Sequence, residues 1–482
     1  MNLLAWRYRK MHPSIFIGWI SSGILIGVAL SVIMPRLGIE YLLAVGLLLA
    51  IIFARRLAWM FVLAILAGAL IGLWRGGVEI EKLHGAALYY DQKVVITGKV
   101  SEDITEGKKN ELQLRLSQAK INGQPIHGNF WVTTQSELQI KRSDSVTAEG
   151  KFKDGFGNFN GSISFAKVIK VKRQQGDDIA RDVRDWFAQN VRNAVDEPQA
   201  SLGIGFLTGQ RSTLPETLDE QLRIVGLTHI VVASGYNLTI LVRFARRILV
   251  KYSKFWAVVS ASAMMSGFIL VTGFSPSMSR AALVTGLSLA AWYYGRKIHP
   301  LILLPFAAAV TVLINPSYMW GDIGWALSFT AFAGVMLLAP LLLHYFWGSQ
   351  KPRGLSQILV ETTSAQLATL PIIALMFGQY SLLALPANLL VLPFVPLAMV
   401  LTFIAGFIAL VFPTANWVGL PAELLLKYMT TVVDWLARLP GAQGEIIFTT
   451  STFIMSYIVI IFIGLFLWRK TKHDFRQDNI VE

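Results

Sequence analysis

Apolar residues run along most of this chain in stretches long enough to cross a bilayer, and one middle segment breaks that habit. Ser14–Met34 is the first long run; Tyr41–Phe53 and Leu57–Leu73 follow at once, separated by Arg55 and Arg56. A basic start with Arg7, Arg9 and Lys10 resembles a signal peptide. The apolar run is too long for one, so an uncleaved first span is predicted. Beyond Val225 the pattern predicts spans near Val225–Arg243, Phe255–Thr272, Arg280–Tyr294, Pro300–Ile314, Ile323–Phe346, Ile358–Phe377, Leu383–Val411, Trp417–Leu436 and Phe453–Trp468. Prolines at 386, 393, 396, 413 and 421 predict broken helices, so about ten to twelve spanning or re-entrant elements are expected.

Between Tyr90 and Arg173 the apolar residues alternate with polar ones in short runs instead. Val94–Val100, Glu111–Leu116, Asn129–Thr134, Ser145–Phe152 and Ser162–Val171 read as five strands, with turn residues at Asn122-Gly123 and Asp154-Gly155 between them. Five strands of this size suggest a small OB-like barrel. Asp177–Glu197, with Ile179, Val183, Trp186, Phe187 and Val191 in helical register, reads as an amphipathic helix on the membrane surface. The short Leu202–Leu207 run, with Gly203, Gly205 and Gly209, reads as a broken or re-entrant element.

Composition agrees: 54% of residues are hydrophobic, only 15% are charged, and soluble domains carry nearer a quarter. There is no cysteine, which excludes disulfides, thiolate metal sites and cysteine nucleophiles. The net charge is +14. Clusters at Arg243–Lys254, Arg296-Lys297, Lys351–Arg353 and Arg469–Lys472 fall at alternate turns and read as cytoplasmic. The strand-rich segment then lies outside the cytoplasm, where topology does not explain its 14 Lys/Arg against 9 Asp/Glu. Basic OB-like barrels bind single strands through phosphate attraction and stacking on aromatics. Candidate contacts are Lys108, Lys109, Trp131, Lys141, Arg142, Lys151, Lys153 and Phe156, although most aromatics of a small barrel fill its core.

The segment Gly226–Leu241 (GLTHIVVASGYNLTIL) places His229, Ser234, Gly235, Tyr236, Asn237 and Thr239 in an apolar run. Unsatisfied polar groups in lipid are costly, so these border either protein or a wet path. GLTHIVVASG resembles the His-then-Ser-Gly signature of the ComEC/Rec2 competence family. PSMSRAA at 276–282, Asn315-Pro316 with DIGWALSF at 322–329, QLATLP at 366–371, FGQYS at 377–381 and NLLVLP at 388–393 resemble its further motifs, in order. Tyr236-Asn237 departs from the family's Leu-His, and Ala326 stands where the family has glutamine. The cysteine pair common in the family's OB-like domain is absent.

The resemblance implies an inner-membrane DNA channel, read here as a short form without the family's metallo-β-lactamase-like domain and hence without nuclease activity. It divides the chain into N-terminal spans (1–75), an extracytoplasmic OB-like domain (90–175), an amphipathic linker (177–200), a channel domain (201–470) and a cytoplasmic tail (471–482). The DNA path it implies includes His229, Ser234, Gly235, Tyr236, Asn237, Arg280, Asp322, Gln366 and Asn388. Plainer roles stand beside that one: small-residue packing at 233–235, snorkelling of Arg280, helix capping by Asp322, and interhelical hydrogen bonds from Gln366 and Asn388. A Ser234/His229 hydrolase lacks an acidic third member. No P-loop is present, and no cofactor or metal is expected. Expected partners are single-stranded DNA, membrane lipid, a separate nuclease, a surface or periplasmic DNA receptor and a cytoplasmic motor or helicase, with room for an oligomer. The rival reading is a transporter or flippase for a polyanionic lipid or glycan precursor.

Overall fold

The computed structural model describes residues 10–34, 38, 40–107, 111–135, 139–173, 178–231, 235–273, 275–296, 299–348, 352, 354–412 and 416–475. Two compact units emerge: Met1–Asp177 with Ile298–Ala326, and Asp178–Lys297 with Leu327–Glu482.

The first unit begins with α1 (Pro13–Leu30), α2 (Tyr41–Arg55) and α3 (Phe61–Leu83). The pattern predicts a hairpin of the second and third runs, yet α3 packs chiefly on α1. The reason is side-chain size: glycines on α1 and α3 face each other and bring the two backbones together, whereas α2 buries only Val45 and Ile52.

The strand-rich segment is a closed barrel. Its strands are β1 (Lys93–Val100), β2 (Thr105–Glu106), β3 (Leu112–Ile121), β4 (Gln124–Pro125), β5 (Phe130–Thr134), β6 (Ser145–Lys153), β7 (Gly161–Ile163) and β8 (Lys167–Lys172). The order β1-β3-β5-β7-β6 closes through β1–β6 pairing, and only β5–β7 is parallel within that ring. Taking β2 and β4 as short extensions of β3, this is the five-stranded OB arrangement. Alternation drives it: Val94, Ile96 and Val100 point inward with Leu114, Leu116, Phe130, Val132, Val146, Phe152 and Ile163. The expected last strand is split, because Phe165 adopts a left-handed φ of 54° and breaks the ladder between β7 and β8. The unit is completed by α11 (Pro300–Ile314), α12 (Ser317–Gly321) and the start of α13 (Ile323–Ala333).

In the second unit α4 (Ile179–Ala194) is followed by α5 (Gln199–Thr208), α6 (Glu216–Ile224), α7 (Thr228–Val231), α8 (Gly235–Leu249), α9 (Lys254–Thr272) and α10 (Pro276–Tyr293). After α13 come α14 (Ala339–Trp347), α15 (Leu355–Phe377), α16 (Ala384–Val391), α17 (Val395–Ala409), α18 (Leu420–Ala437) and α19 (Thr450–Thr471), with a two-stranded ladder of β9 (Gln379–Ser381) and β10 (Gln443–Glu445). Its core gathers Leu202, Ile204 and Phe206 of α5 with Leu227, Ile230, Val391, Val395, Met399, Leu426 and Val433. α4 is amphipathic, as expected. Arg181 and Arg184 are buried and paired with Asp182 and Asp185, while Ile179, Val183 and Trp186 are exposed.

Among the described residues, seven helical stretches are long and apolar enough to cross a membrane: Pro13–Leu30, Ala58–Tyr89, Lys254–Thr272, Ile323–Trp347, Leu355–Phe377, Ala384–Ala409 and Thr450–Thr471. Tyr41–Arg55 and Pro300–Ile314 are apolar but shorter. The run predicted as one span over Val225–Arg243 is no single helix. It holds the four-residue α7 and the start of α8, which carries Arg243, Arg246 and Arg247 on its later turns.

Candidate functional site

Two sets of candidate residues sit in different units. On the barrel, strand register gathers one row of side chains: Arg115 on β3 is opposite Trp131 on β5, Trp131 is opposite Ser162 on β7, and Ser162 is opposite Lys153 on β6. Trp131 projects outward because its neighbours Phe130 and Val132 are core residues and the strand period is two. The β6–β7 loop folds Phe156 and Phe159 over it, with ring centroids 5.7 Å and 5.2 Å from Trp131. The Arg115 guanidinium lies 5.7 Å from the Trp131 ring centre and 5.9 Å from that of Phe159. Phe156 stays exposed, while Trp131 and Phe159 are half-buried. The result is an aromatic surface bearing a cation, on the strand pair and loop that OB folds use for oligonucleotides.

The basic residues distribute unevenly about this row. Lys153 is exposed in register with it, and Lys151, two residues along β6, is exposed and paired with Asp91 at 2.9 Å. Lys141 donates its backbone N–H to Asp144. Arg142 is 5% exposed and offers little surface to a strand. Lys108 and Lys109 lie outside the described residues. Arg115 is not among the residues that the sequence singles out. A signal for it exists, since Leu114 and Leu116 on either side are core positions and leave Arg115 facing out.

Arg115 also holds a carboxylate. Its Nη1 donates to Glu102 Oε2 in an ion pair. Desolvation pushes the Glu102 carboxyl above its ordinary range, and the negative charges of Asp322 and Asp103 add to that, against the pull of Arg115.

Asp322 caps α13. Its Oδ1 accepts from the Trp325 N–H at 2.7 Å, and its Oδ2 accepts from Asn158 Nδ2 of the β6–β7 loop at 2.6 Å. The carbonyl of Gly157 lies against Gly321, whose absent side chain leaves room for it. Within this unit the loop that carries Phe156 and Phe159 is therefore clamped to the start of a spanning helix.

In the second unit the polar set around residue 229 divides. His229 is exposed, with Nδ1 3.0 Å from the Gly226 carbonyl, and Tyr236 is also exposed. Asn237 is fully buried, donating through Nδ2 to the carbonyls of Phe206 and Ile230 at 3.1 Å and 3.3 Å. The Phe206 carbonyl belongs to the last turn of α5, where intrahelical donors run out, so Asn237 caps that helix end and ties Ile230 of α7 to it. Asn388 is 2% exposed and bonds the Ala384 carbonyl. Both side chains are enclosed by protein. Ser234 lies outside the described residues. Gly235 begins α8 against α10, and a side chain there would meet Ala281 and the Arg280 guanidinium. Arg280 donates from Nε to Ser328 Oγ at 2.6 Å, Ser328 reaches Ser277 Oγ at 3.3 Å, and Phe332 lies 5.3 Å from the guanidinium. Gln366 is half-buried on α15.

Replacing Asn237 with alanine is expected to lower stability by about 1–3 kcal/mol, the usual penalty when a buried hydrogen-bonding partner is removed. Thermal unfolding of the detergent-solubilised protein measures it. Unchanged unfolding with impaired transport would place Asn237 on the path.

An OB-type barrel and helices long and apolar enough to span a bilayer define an integral membrane protein with a small β-barrel module. The chain belongs to the competence protein family, whose model matches residues 206–471. It is similar to ComE operon protein 3 of Bacillus subtilis (strain 168), 24% identical over 246 residues. That match covers 50% of this chain and 30% of the relative, so the chain spans well under two thirds of the relative's length. No solved structure matches.

Proposed function

We propose that the protein carries single-stranded DNA across the cytoplasmic membrane during natural transformation, with its barrel outside the cytoplasm. The observation that carries this reading is the Arg115–Trp131 row under Phe156 and Phe159. Base stacking on such rings is sequence-tolerant and excludes an intact duplex, whose bases are already stacked. Membership of the competence family supports DNA as the cargo. The alternate basic clusters support a cytoplasmic face opposite the barrel.

A captured strand loses counterions to Lys151, Lys153 and Arg115, then passes the loop held by Asp322. In the second unit Arg280, with Ser328 and Ser277 beside it, offers a phosphate contact, and the exposed His229 and Tyr236 and half-buried Gln366 are that unit's further path residues. Among the described residues no acidic side chain pairs with Arg280, which leaves its charge for an anion. Strand degradation and driving force are assigned to no residue here and fall to a nuclease and a cytoplasmic motor.

Charge reversal provides the test. In a deletion strain complemented with K151E/K153E, labelled-DNA uptake is expected to fall. The purified variant should bind a labelled oligothymidylate with a log–log salt slope smaller by about 0.7 for each phosphate it no longer neutralises. Transformation that survives deletion of the gene would instead favour a transporter of polyanionic envelope precursors.

A further inference from the structure

We propose that Glu102 is a built-in competitor for the strand: its carboxylate occupies the place on Arg115 that a DNA phosphate takes, so that each phosphate is exchanged rather than trapped. This inference rests on the single-strand reading of the barrel face and adds to it a mechanism of release.

A guanidinium is planar, presents a fork of donors, and pairs with carboxylate or phosphate through the same geometry. Here the guanidinium carbon lies 5.7 Å and 5.9 Å from the ring centres of Trp131 and Phe159, while its Nη1 donates to Glu102. A base stacked on these rings brings its own phosphate to that donor, where the Glu102 carboxylate already sits. Both cannot use it at once. Glu102 has a reason to leave: the negative charges of Asp322 and Asp103 repel it. A conducting surface needs sites that bind well enough to load and loosely enough to pass their cargo on. An arginine held beside two rings with no competitor would satisfy the first need alone.

The exchange also leaves a thermodynamic mark. When a phosphate displaces Glu102, an internal carboxylate leaves Arg115 and little extra salt is released. When glutamine replaces Glu102, Arg115 carries solution counterions, and an arriving phosphate sets them free.

The full-length protein in detergent is titrated with a labelled oligothymidylate across a range of salt. E102Q is expected to bind about two- to fivefold more tightly at low salt, the span of an exposed ion pair, with a log–log salt slope steeper by about 0.7. R115Q is expected to bind more weakly, and E102Q/R115Q to bind no better than R115Q, because the competitor acts through Arg115. In complemented cells E102Q is expected to capture more labelled DNA yet internalise it more slowly. An E102Q affinity at or below wild type, a gain that persists without Arg115, or uptake that rises in step with capture each overturns the proposal. Wild-type protein that binds no oligothymidylate at any salt would instead overturn the single-strand reading itself.

Discussion

Removing the stacking surface is expected to abolish useful DNA capture while leaving the barrel folded. Trp131→Ala with Phe159→Ala takes away two of the rings over which a base would lie, and each stacked base is worth about 1–3 kcal/mol. Affinity for a labelled oligothymidylate should fall about 5- to 150-fold for each base that no longer stacks, and transformation should fall with it. Both side chains are half-buried on the outer face, whereas the barrel is held by Phe130, Phe152 and the aliphatic residues inside it. Thermal unfolding and circular dichroism should therefore change little. Phe130→Ala, which empties a core position, serves as the contrast: it is expected to destabilise by about 3–5 kcal/mol. If the double variant binds DNA within twofold of wild type and remains folded, the aromatic surface is not where the strand lies.

The barrel was legible because alternation is a strong signal over five short runs, and because Phe130 and Phe152 fall on the inward beat while Trp131 falls on the outward one. The break at Phe165 was not, since nothing local distinguishes a phenylalanine in left-handed backbone from one in a strand. Arg115 is hard to find for a different reason. Its neighbours in the cluster come from β5 and the β6–β7 loop, and pairing across strands is set by register rather than by closeness in sequence.

The helical region was less readable. Apolar composition announces spans but not which amides face protein, and Asn237 and Asn388 read the same in sequence whether they bond buried helix carbonyls or border water. The Gly226–Leu241 run looks in sequence like one span with polar residues in it. Folded, it is helical over Thr228–Val231 and from Gly235 on, with the Asn237 amide bonded to the carbonyls of Phe206 and Ile230. Nor does sequence order reveal that Ile298–Ala326 joins the barrel's unit, because that depends on α11 packing against the distant α1 and on a bond from Asn158 to Asp322 across 164 positions.

The other large effect belongs to the seam between α1 and α3, which the sequence also carries as small residues four apart. Gly23 and Gly27 on α1 meet Gly68 and Gly72 on α3 so closely that a side chain at Gly27 would press on the Ala69 carbonyl and one at Gly68 on the Ile20 carbonyl. These obstacles are backbone atoms, which no rotamer change moves aside. In a bilayer, lipid and leucine are equally apolar, so helices associate through close backbone approach rather than through hydrophobic burial. Gly68→Leu is therefore expected to separate α1 from α3 and remove most of the packing that holds them, more than the about 1–3 kcal/mol of an ordinary overpacked core site. Ala at the same position still collides with the Ile20 carbonyl and should be partly impaired. Gly46 on α2, where a side chain meets open space, tolerates leucine. The measurement is accumulation in the membrane and resistance to protease: Gly68→Leu should be degraded, Gly68→Ala intermediate and Gly46→Leu normal. Equal accumulation of all three would mean that α1 and α3 are held together by something other than their glycines.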